Sequence, residues 1–354
     1  MYKYALLLLL MMLTVACNEN GENPGETEPN SKTAQGSDME ILAAELRSPW
    51  DIEVSGDTFY ITEREGNIVT WTEREGLIRE SVNTKEAVHQ QGEGGLLGFE
   101  LRPDFEESRE AFVYHTYQEG GEIKNRVIVI RLERDGWQEV DVLLEGIPGS
   151  RIHNGGRIKI GPDQKLYVTT GDAGSQQTAQ QEDSLDGKIL RMSLDGSMPD
   201  DNPFGNSYVY TLGHRNPQGL AWTEENEMYA SEHGSDAHDE INKIEAGNNY
   251  GWPEIRGDEE REGMVKPVFH TGTDTWAPSG IAINESKLFV ASLRGQALRV
   301  MDLNTLEPEI VTDDYGRIRD VIIENEALFF ITNNTDGRGT PSEDDDRLVR
   351  MNLP

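Results

Sequence analysis

The chain has 354 residues, enough for one large domain or two ordinary ones. Lys+Arg 32 against Asp+Glu 65 gives a formal charge of -33, which excludes the net basic face that nucleic acid binding requires. Hydrophobic residues are 36% of the chain and there are 36 glycines, a balance that suits a turn-rich fold more than a helical one.

The first element is a leader. Met1-Tyr-Lys-Tyr carries one positive charge, Ala5 to Val15 is apolar, and the run closes on Leu13-Thr-Val-Ala-Cys17. An apolar stretch this short is a signal-peptide core and not a membrane span. Its Ala-Cys ending is similar to the lipobox of bacterial lipoproteins. Residues 1–17 are thus expected to be a signal peptide, with Cys17 lipidated and the protein exported and anchored to the cell envelope. Cys17 is the only cysteine, so no disulfide forms within one chain. Residues 18–38 lack aromatics, are rich in Glu, Asn, Gly and Ser, and read as a disordered tether. Residues 39–354 remain for the folded domain.

No helical period follows. Instead one phrase recurs, an aromatic inside a brief apolar strand with a polar exit. The copies are Thr58–Glu63, Ala111–Thr116, Leu166–Gly171, Met228–His233, Leu288–Leu293 and Leu328–Asn333. Their aromatics, Phe59, Phe112, Tyr167, Tyr229, Phe289 and Phe329, are spaced by roughly 40 to 62 residues, a range typical of β-propellers. Units of this length hold four short strands each. The expected fold is all-β, a six-bladed β-propeller of four-stranded antiparallel blades. The polar exits Glu63, Asp172, Glu232 and Arg294 are then expected to ring one face.

Two loops carry candidate chemistry. His153 stands between Ile152 and Asn154-Gly-Gly156, where glycines let backbone approach a ligand closely. Gly213-His-Arg-Asn-Pro-Gln-Gly219 holds further polar groups between glycines. Together they suggest a base and a cation. His214 reads as a residue packing its own loop.

Pro49-Trp-Asp-Ile52, Gly92-Glu-Gly-Gly-Leu-Leu-Gly98, His153-Asn-Gly-Gly-Arg157, Gly213–Gly219, Asp239-Glu-Ile-Asn242, Asn249-Tyr-Gly-Trp-Pro253, Ser292-Leu-Arg294 and Arg317-Ile-Arg-Asp320 form an ordered set. That set resembles the soluble quinoprotein sugar dehydrogenases, also called glucose/sorbosone or aldose sugar dehydrogenases. The resemblance implies a six-bladed propeller that uses pyrroloquinoline quinone and Ca2+ to oxidise an aldose sugar at C1 to a lactone and passes electrons to an external acceptor. It implies His153 as general base, since a neutral imidazole suits proton removal near neutral pH. It implies Arg215 and Asn216 at the quinone, and Arg294, Arg317 and Arg319 facing its carboxylates, which guanidinium forks match bidentately. Calcium would meet carbonyls of Gly234 and Ser235, with Glu240 and the Tyr250 carbonyl at a second, structural ion.

Two departures stand out. Ile152 replaces an aspartate found in some relatives, so a carboxylate that orients His153 must come from elsewhere or be absent. Glu93 replaces a glutamine that touches the quinone in several relatives, so either it is protonated, or it is paired with calcium or one of Arg215, Arg294, Arg317 and Arg319, or the cofactor pose differs. The residues alone also leave open a non-enzymatic propeller that binds a glycan or protein, and a calcium-dependent propeller lactonase.

Overall fold

The computed structural model describes residues 39–354, and the leader, Cys17 and the tether lie outside the described residues. The described chain is all-β. Four sheets have four antiparallel strands each. The first holds Ile158–Ile160, Lys165–Thr170, Lys188–Ser193 and Val209–Leu212. The second holds Pro217–Trp222, Met228–Glu232, Glu240–Ile244 and Phe269–His270. The third holds Pro278–Asn284, Lys287–Ser292, Ala297–Asp302 and Pro308–Thr312. The fourth is Ile318–Glu324, Ala327–Thr332 and Leu348–Asn352, completed by Glu40–Ala43 from the other end of the domain. That last pairing ties the start of the domain to its end.

The fifth sheet has eight strands, where separate four-stranded units were expected. Pro49–Ser55, Thr58–Glu63, Asn67–Thr72 and Gly76–Asn83 join Leu96–Leu101, Glu110–Glu119, Glu122–Glu133 and Gly136–Pro148. The join is a short parallel pairing, Val82 with Trp137 and Asn83 with Gln138. It involves only the hairpin end of Gly136–Pro148, where Trp137 is fully buried.

Every copy of the aromatic phrase lies on the second strand of an antiparallel run of four. These strands are buried on both faces because sheets pack on either side, which explains unbroken apolar runs in place of alternation. Phe59, for example, meets Trp71 of its own sheet at 5.6 Å and Phe329 of the next at 4.9 Å. The first strands of the runs touch one another in a closed cycle: Pro49–Ser55, Leu96–Leu101, Ile158–Ile160, Pro217–Trp222, Pro278–Asn284, Ile318–Glu324 and back.

Arg157 is buried inside this cycle. Its Nη1 lies 2.7 Å from both Asp51 Oδ1 and Asp320 Oδ2, its Nε donates to the Gln218 carbonyl at 2.9 Å, and its Cζ sits 4.4 Å from the Trp50 ring. Strand bulges near Asp51 and Asp320 release backbone N–H groups, and the two carboxylates accept them from Ile52, Phe99 and Val321. Asp320→Ala leaves the buried Arg157 half-paired. Urea unfolding is expected to show a loss of about 3–5 kcal/mol.

Candidate active site

In an antiparallel pair the start of the first strand lies beside the end of the second. Pro49 pairs with Glu63, Pro217 with Glu232, Pro278 with Ser292 and Ile318 with Thr332. Entry loops and exit loops therefore gather at one end of the strand cycle. Glu93, His153, Arg215, Asn216 and Arg317 stand on or beside entry loops. Arg64, Asp172, His233, Arg294 and Asn333–Arg338 follow second strands.

His153 is the best-defined group there. Its backbone is left-handed at φ 54, a costly conformation for a side chain of this size. Three contacts hold it. Glu93 Oε2 accepts the His153 N–H at 2.8 Å, the His153 carbonyl accepts from Ala173 N–H at 3.1 Å, and Nδ1 pairs with Asp172 Oδ1 at 2.7 Å. Gly171 and Gly92 make the seat possible: a Cβ at Gly171 would lie 2.1 Å from the His153 carbonyl oxygen, and one at Gly92 2.0 Å from that of Arg151. The side chain is 13% exposed and, among the described residues, Nε2 makes no hydrogen bond.

Asp172 is the orienting carboxylate that Ile152 does not supply. It is fully buried, and its Oδ1 also accepts Gly174 N–H at 2.8 Å while Oδ2 accepts the Trp252 indole N–H at 2.8 Å. Burial pushes its pKa up, but hydrogen bonds from His153, Gly174 and Trp252 outweigh that and hold it below the usual carboxylate range. An ionised Asp172 accepts Nδ1–H, which leaves the Nε2 lone pair free. Ile152 is an apolar side chain 44% exposed beside this pair.

Glu93 is neutralised, though not by any of the four expected arginines. Its Oε1 meets Arg338 Nη1 at 3.1 Å. Burial raises the carboxyl, and Arg338, then His233 and His153, bring it below its ordinary value. Arg338 follows Asp336 in a tight turn, with its N–H on Asp336 Oδ1 at 2.9 Å.

The remaining cations divide. Arg317 is committed to protein, with Nη2 on Asp336 at 2.9 Å and Nε on the Asn333 carbonyl at 3.1 Å. Arg319 is buried, and its Nη1 donates to Gln218 Oε1 at 2.9 Å. Burial pushes it down to about 9, opposed by Asp336 and reinforced by Arg317, Arg64 and Arg338. Arg294 is exposed, its backbone N–H on the Trp276 carbonyl. Arg215 is half-buried, with Nη1 on the His233 carbonyl at 3.1 Å and Cζ 5.4 Å from the Trp252 ring. Asn216 Oδ1 accepts Gly155 N–H at 3.0 Å and so links the two glycine loops.

Among the described residues, three buried nitrogens in this cluster have no protein partner: Asn216 Nδ2, His233 Nε2 and Arg319 Nε. His233 belongs beside them, since its backbone N–H donates to the Asn216 carbonyl at 3.2 Å. Burial first, against Asp239 and Glu93 and with Arg319 and Arg215, lowers it to about 4, so its ring is neutral at pH 7. Unpaired buried donors are costly, and here they gather where positive charge is in excess. Arg64, His233, Trp252 and Arg338 were missed from sequence; only their place after a polar strand exit, or beside Tyr250, hinted at them.

Not every polar exit serves this site. Glu63 is spent on Arg79 at 2.6 Å and on Arg47 N–H at 2.8 Å. Glu232 holds His214 Nδ1 at 2.8 Å and the Arg215 N–H. His214 packs its loop as expected, fully buried and stacked 5.0 Å from Tyr250.

On the calcium side, the Gly234 and Ser235 carbonyls accept no hydrogen bond among the described residues. Glu240 is cross-strand to Glu232 and accepts Gly257 N–H at 3.0 Å. Burial, and then Glu232, raise it to about 8. Tyr250 uses its hydroxyl on the Lys243 carbonyl at 2.7 Å. Among the described residues no three or more His, Cys, Asp or Glu side chains are arranged to hold a metal.

A groove of about 1410 Å³ opens at the opposite strand ends, around Gly56, Asp57, Glu324 and Asn325, and is lined by none of these residues.

Comparison with known proteins gives the same direction. The family model described as Glucose / Sorbosone dehydrogenase matches residues 46–348. A quinoprotein glucose dehydrogenase B of Acinetobacter calcoaceticus is 36% identical over 64% of this chain, and the match spans 55% of that protein. An aldose sugar dehydrogenase of Escherichia coli is 32% identical, over 84% of this chain and 91% of that one. The PQQ-bound aldose sugar dehydrogenase from Streptomyces coelicolor is 36% identical, with a TM-score of 0.83, 90% of this chain and 99% of that chain being covered. This chain belongs to the glucose/sorbosone dehydrogenase family.

Proposed function

We propose that this protein is a quinoprotein that oxidises an aldose at C1 to the lactone, with His153 as the general base. The observation that carries the reading is the His153–Asp172 pair, with Nε2 unengaged, set beside three unpaired buried nitrogens and excess arginine charge. Such donors fit a group rich in carboxylates and carbonyls, as pyrroloquinoline quinone is. Asn216, Arg319, Arg215 and the exposed Arg294 would hold it, with Arg317 fixed through Asp336. When bound, the quinone supplies the two-electron acceptor for the hydride leaving C1. His153 Nε2 takes the O1 proton, and Asp172 steadies the imidazolium that results. Trp252 and Asp172 keep the imidazole ring from turning. The electrons leave to an external acceptor.

Calcium is part of this proposal. The free carbonyls of Gly234 and Ser235 suit a hard cation, as does the buried Glu240 with the Tyr250 carbonyl; without an ion, burial and Glu232 keep a proton on Glu240. The six-bladed description is supported by the closed cycle of first strands, the eight-stranded sheet counting as two blades. Export and lipidation at Cys17 complete the reading. Cys17→Ser is expected to move the protein out of the detergent phase with activity intact, and unchanged partitioning would exclude the anchor.

The test is titration of the purified chain with pyrroloquinoline quinone, with and without Ca2+. An absorbance change and a raised Tm are expected only with both, followed by dye reduction with an aldose panel. Saturation at about 100 times Kd stabilises by about 2.7 kcal/mol, a readily measured shift. No shift with both present removes the cofactor assignment.

A further inference from the structure

The connection between Lys165–Thr170 and Lys188–Ser193 carries Asp172 at its start and Lys188 at its end. Lys188 is fully buried, and its Nζ donates to three backbone carbonyls: Asp186 at 2.7 Å, Thr178 at 2.9 Å and Ala179 at 3.1 Å. An ammonium has three N–H donors and no acceptor, so the match is one to one. Among the described residues no carboxylate lies within ion-pair distance of it. The Asp186 carboxylate instead takes the hydroxyls of Thr178 and Ser184, which turns its own carbonyl toward the lysine. Burial lowers Lys188 to about 8, opposed by the nearby Asp186 and then Asp183 carboxylates, and a carbonyl cage of this kind is how proteins hold bare cations.

The caged segment joins three site loops. The Ala179 carbonyl also accepts Gly213 N–H at 2.9 Å, and the Gly187 carbonyl accepts His214 N–H at 3.1 Å, so the Arg215 loop is seated on it. Gly187 N–H donates to the Gly171 carbonyl at 2.8 Å, next to Asp172. Gln180 exchanges two hydrogen bonds with Asn249, at 3.0 and 2.7 Å, and donates to the Trp252 carbonyl at 2.6 Å. Trp252 in turn grips Asp172. Without a cation, the Asp186 carbonyl would lose its one donor among the described residues, and the Thr178 and Ala179 carbonyls would keep only the Gln181 and Gly213 N–H groups.

We propose that Lys188 is a tethered structural cation, a positioning residue whose ammonium replaces a metal ion in a carbonyl cage and fixes the loops of Asp172, Arg215 and Trp252. Its effect on turnover rests on the function proposed above, but the cage itself does not.

The experiment uses the full chain, first without sugar or quinone. Lys188→Ala empties the cage together with the space its aliphatic stem fills. Its Tm and the exchange protection of the Gly187, Gly213 and His214 amides are expected to fall, and to recover with ammonium or potassium ions but not with tetramethylammonium. Lys188→Met fills the space without charge and is expected to lose the same protection with no recovery from either ion. In the loaded enzyme Lys188→Met is expected to lower kcat by up to about 100-fold with a smaller change in KM, as displacement of reacting groups does. Wild-type protection in Lys188→Met, or equal responses of Lys188→Ala to potassium and tetramethylammonium, would overturn the assignment. So would failure of Lys188→Ala to fold in either small cation while Lys188→Met folds. Loss of ion-specific protection with no sugar oxidation by the wild type would keep the cage and discard the function.

Discussion

Replacing His153 by alanine is expected to reduce turnover by about 10² to 10⁴-fold, the usual worth of a general base, with binding of pyrroloquinoline quinone little changed. The split follows from geometry. Three of the ties that build the site are backbone ones: Glu93 to His153 N–H, Ala173 N–H to the His153 carbonyl, and Gly155 N–H to Asn216. Alanine keeps all three. What it removes is the imidazole, whose Nε2 is reachable and has no protein partner among the described residues. The left-handed φ of 54 suits alanine somewhat less than histidine, but the backbone ties to Glu93 and Ala173 hold the loop in place. Steady-state dye reduction with an aldose, beside a quinone titration, separates the two quantities. A variant with near-normal kcat would show that another group takes the proton. His233 would be the next to examine, being neutral and unpaired within the same cluster.

The scaffold was legible where the physics is local. An aromatic in a doubly buried strand, ended by a turn and a polar exit, is a demand of packing between sheets, and it marked the second strand of every run. The glycine loops were legible too, since the Gly171 and Gly92 seats admit no Cβ. What stayed hidden was pairing across sequence. Glu63 looked like a ligand of the face, but Arg79, two strands away in its own sheet, consumes it. Glu93 looked unbalanced because its partner, Arg338, stands 245 residues later on a turn with no strand pattern. The orienting carboxylate, which Ile152 cannot supply, comes from the next strand exit, a polar exit the sequence marked without linking it to His153. The fused eight-stranded sheet escaped notice because it rests on only two residue pairs between distant segments, Val82 with Trp137 and Asn83 with Gln138.

Asp172→Asn should have the second large effect, and it tests orientation apart from proton affinity. The amide has the shape of the carboxylate and can still accept the Trp252 indole N–H, now held at 2.8 Å, through its one oxygen. Its NH₂ then faces His153 Nδ1. That favours the tautomer with the proton on Nε2, the nitrogen needed as acceptor. The same exchange costs about 10⁴-fold in a serine-protease triad, and here about 10² to 10⁴-fold in kcat is expected. The double variant with His153→Ala should be no slower than His153→Ala alone, since the two residues act as one unit. Stability supplies an independent sign. The folded pKa of Asp172 is depressed, so its contribution is present above the unfolded value of about 3.9 and is lost as pH falls through the folded value. Asp172→Asn should therefore be less stable than wild type at pH 7, and the gap should narrow below about pH 4. Equal gaps at both pH values, with unchanged kcat, would place the ionised carboxylate outside the working site and leave His153 oriented by its backbone alone.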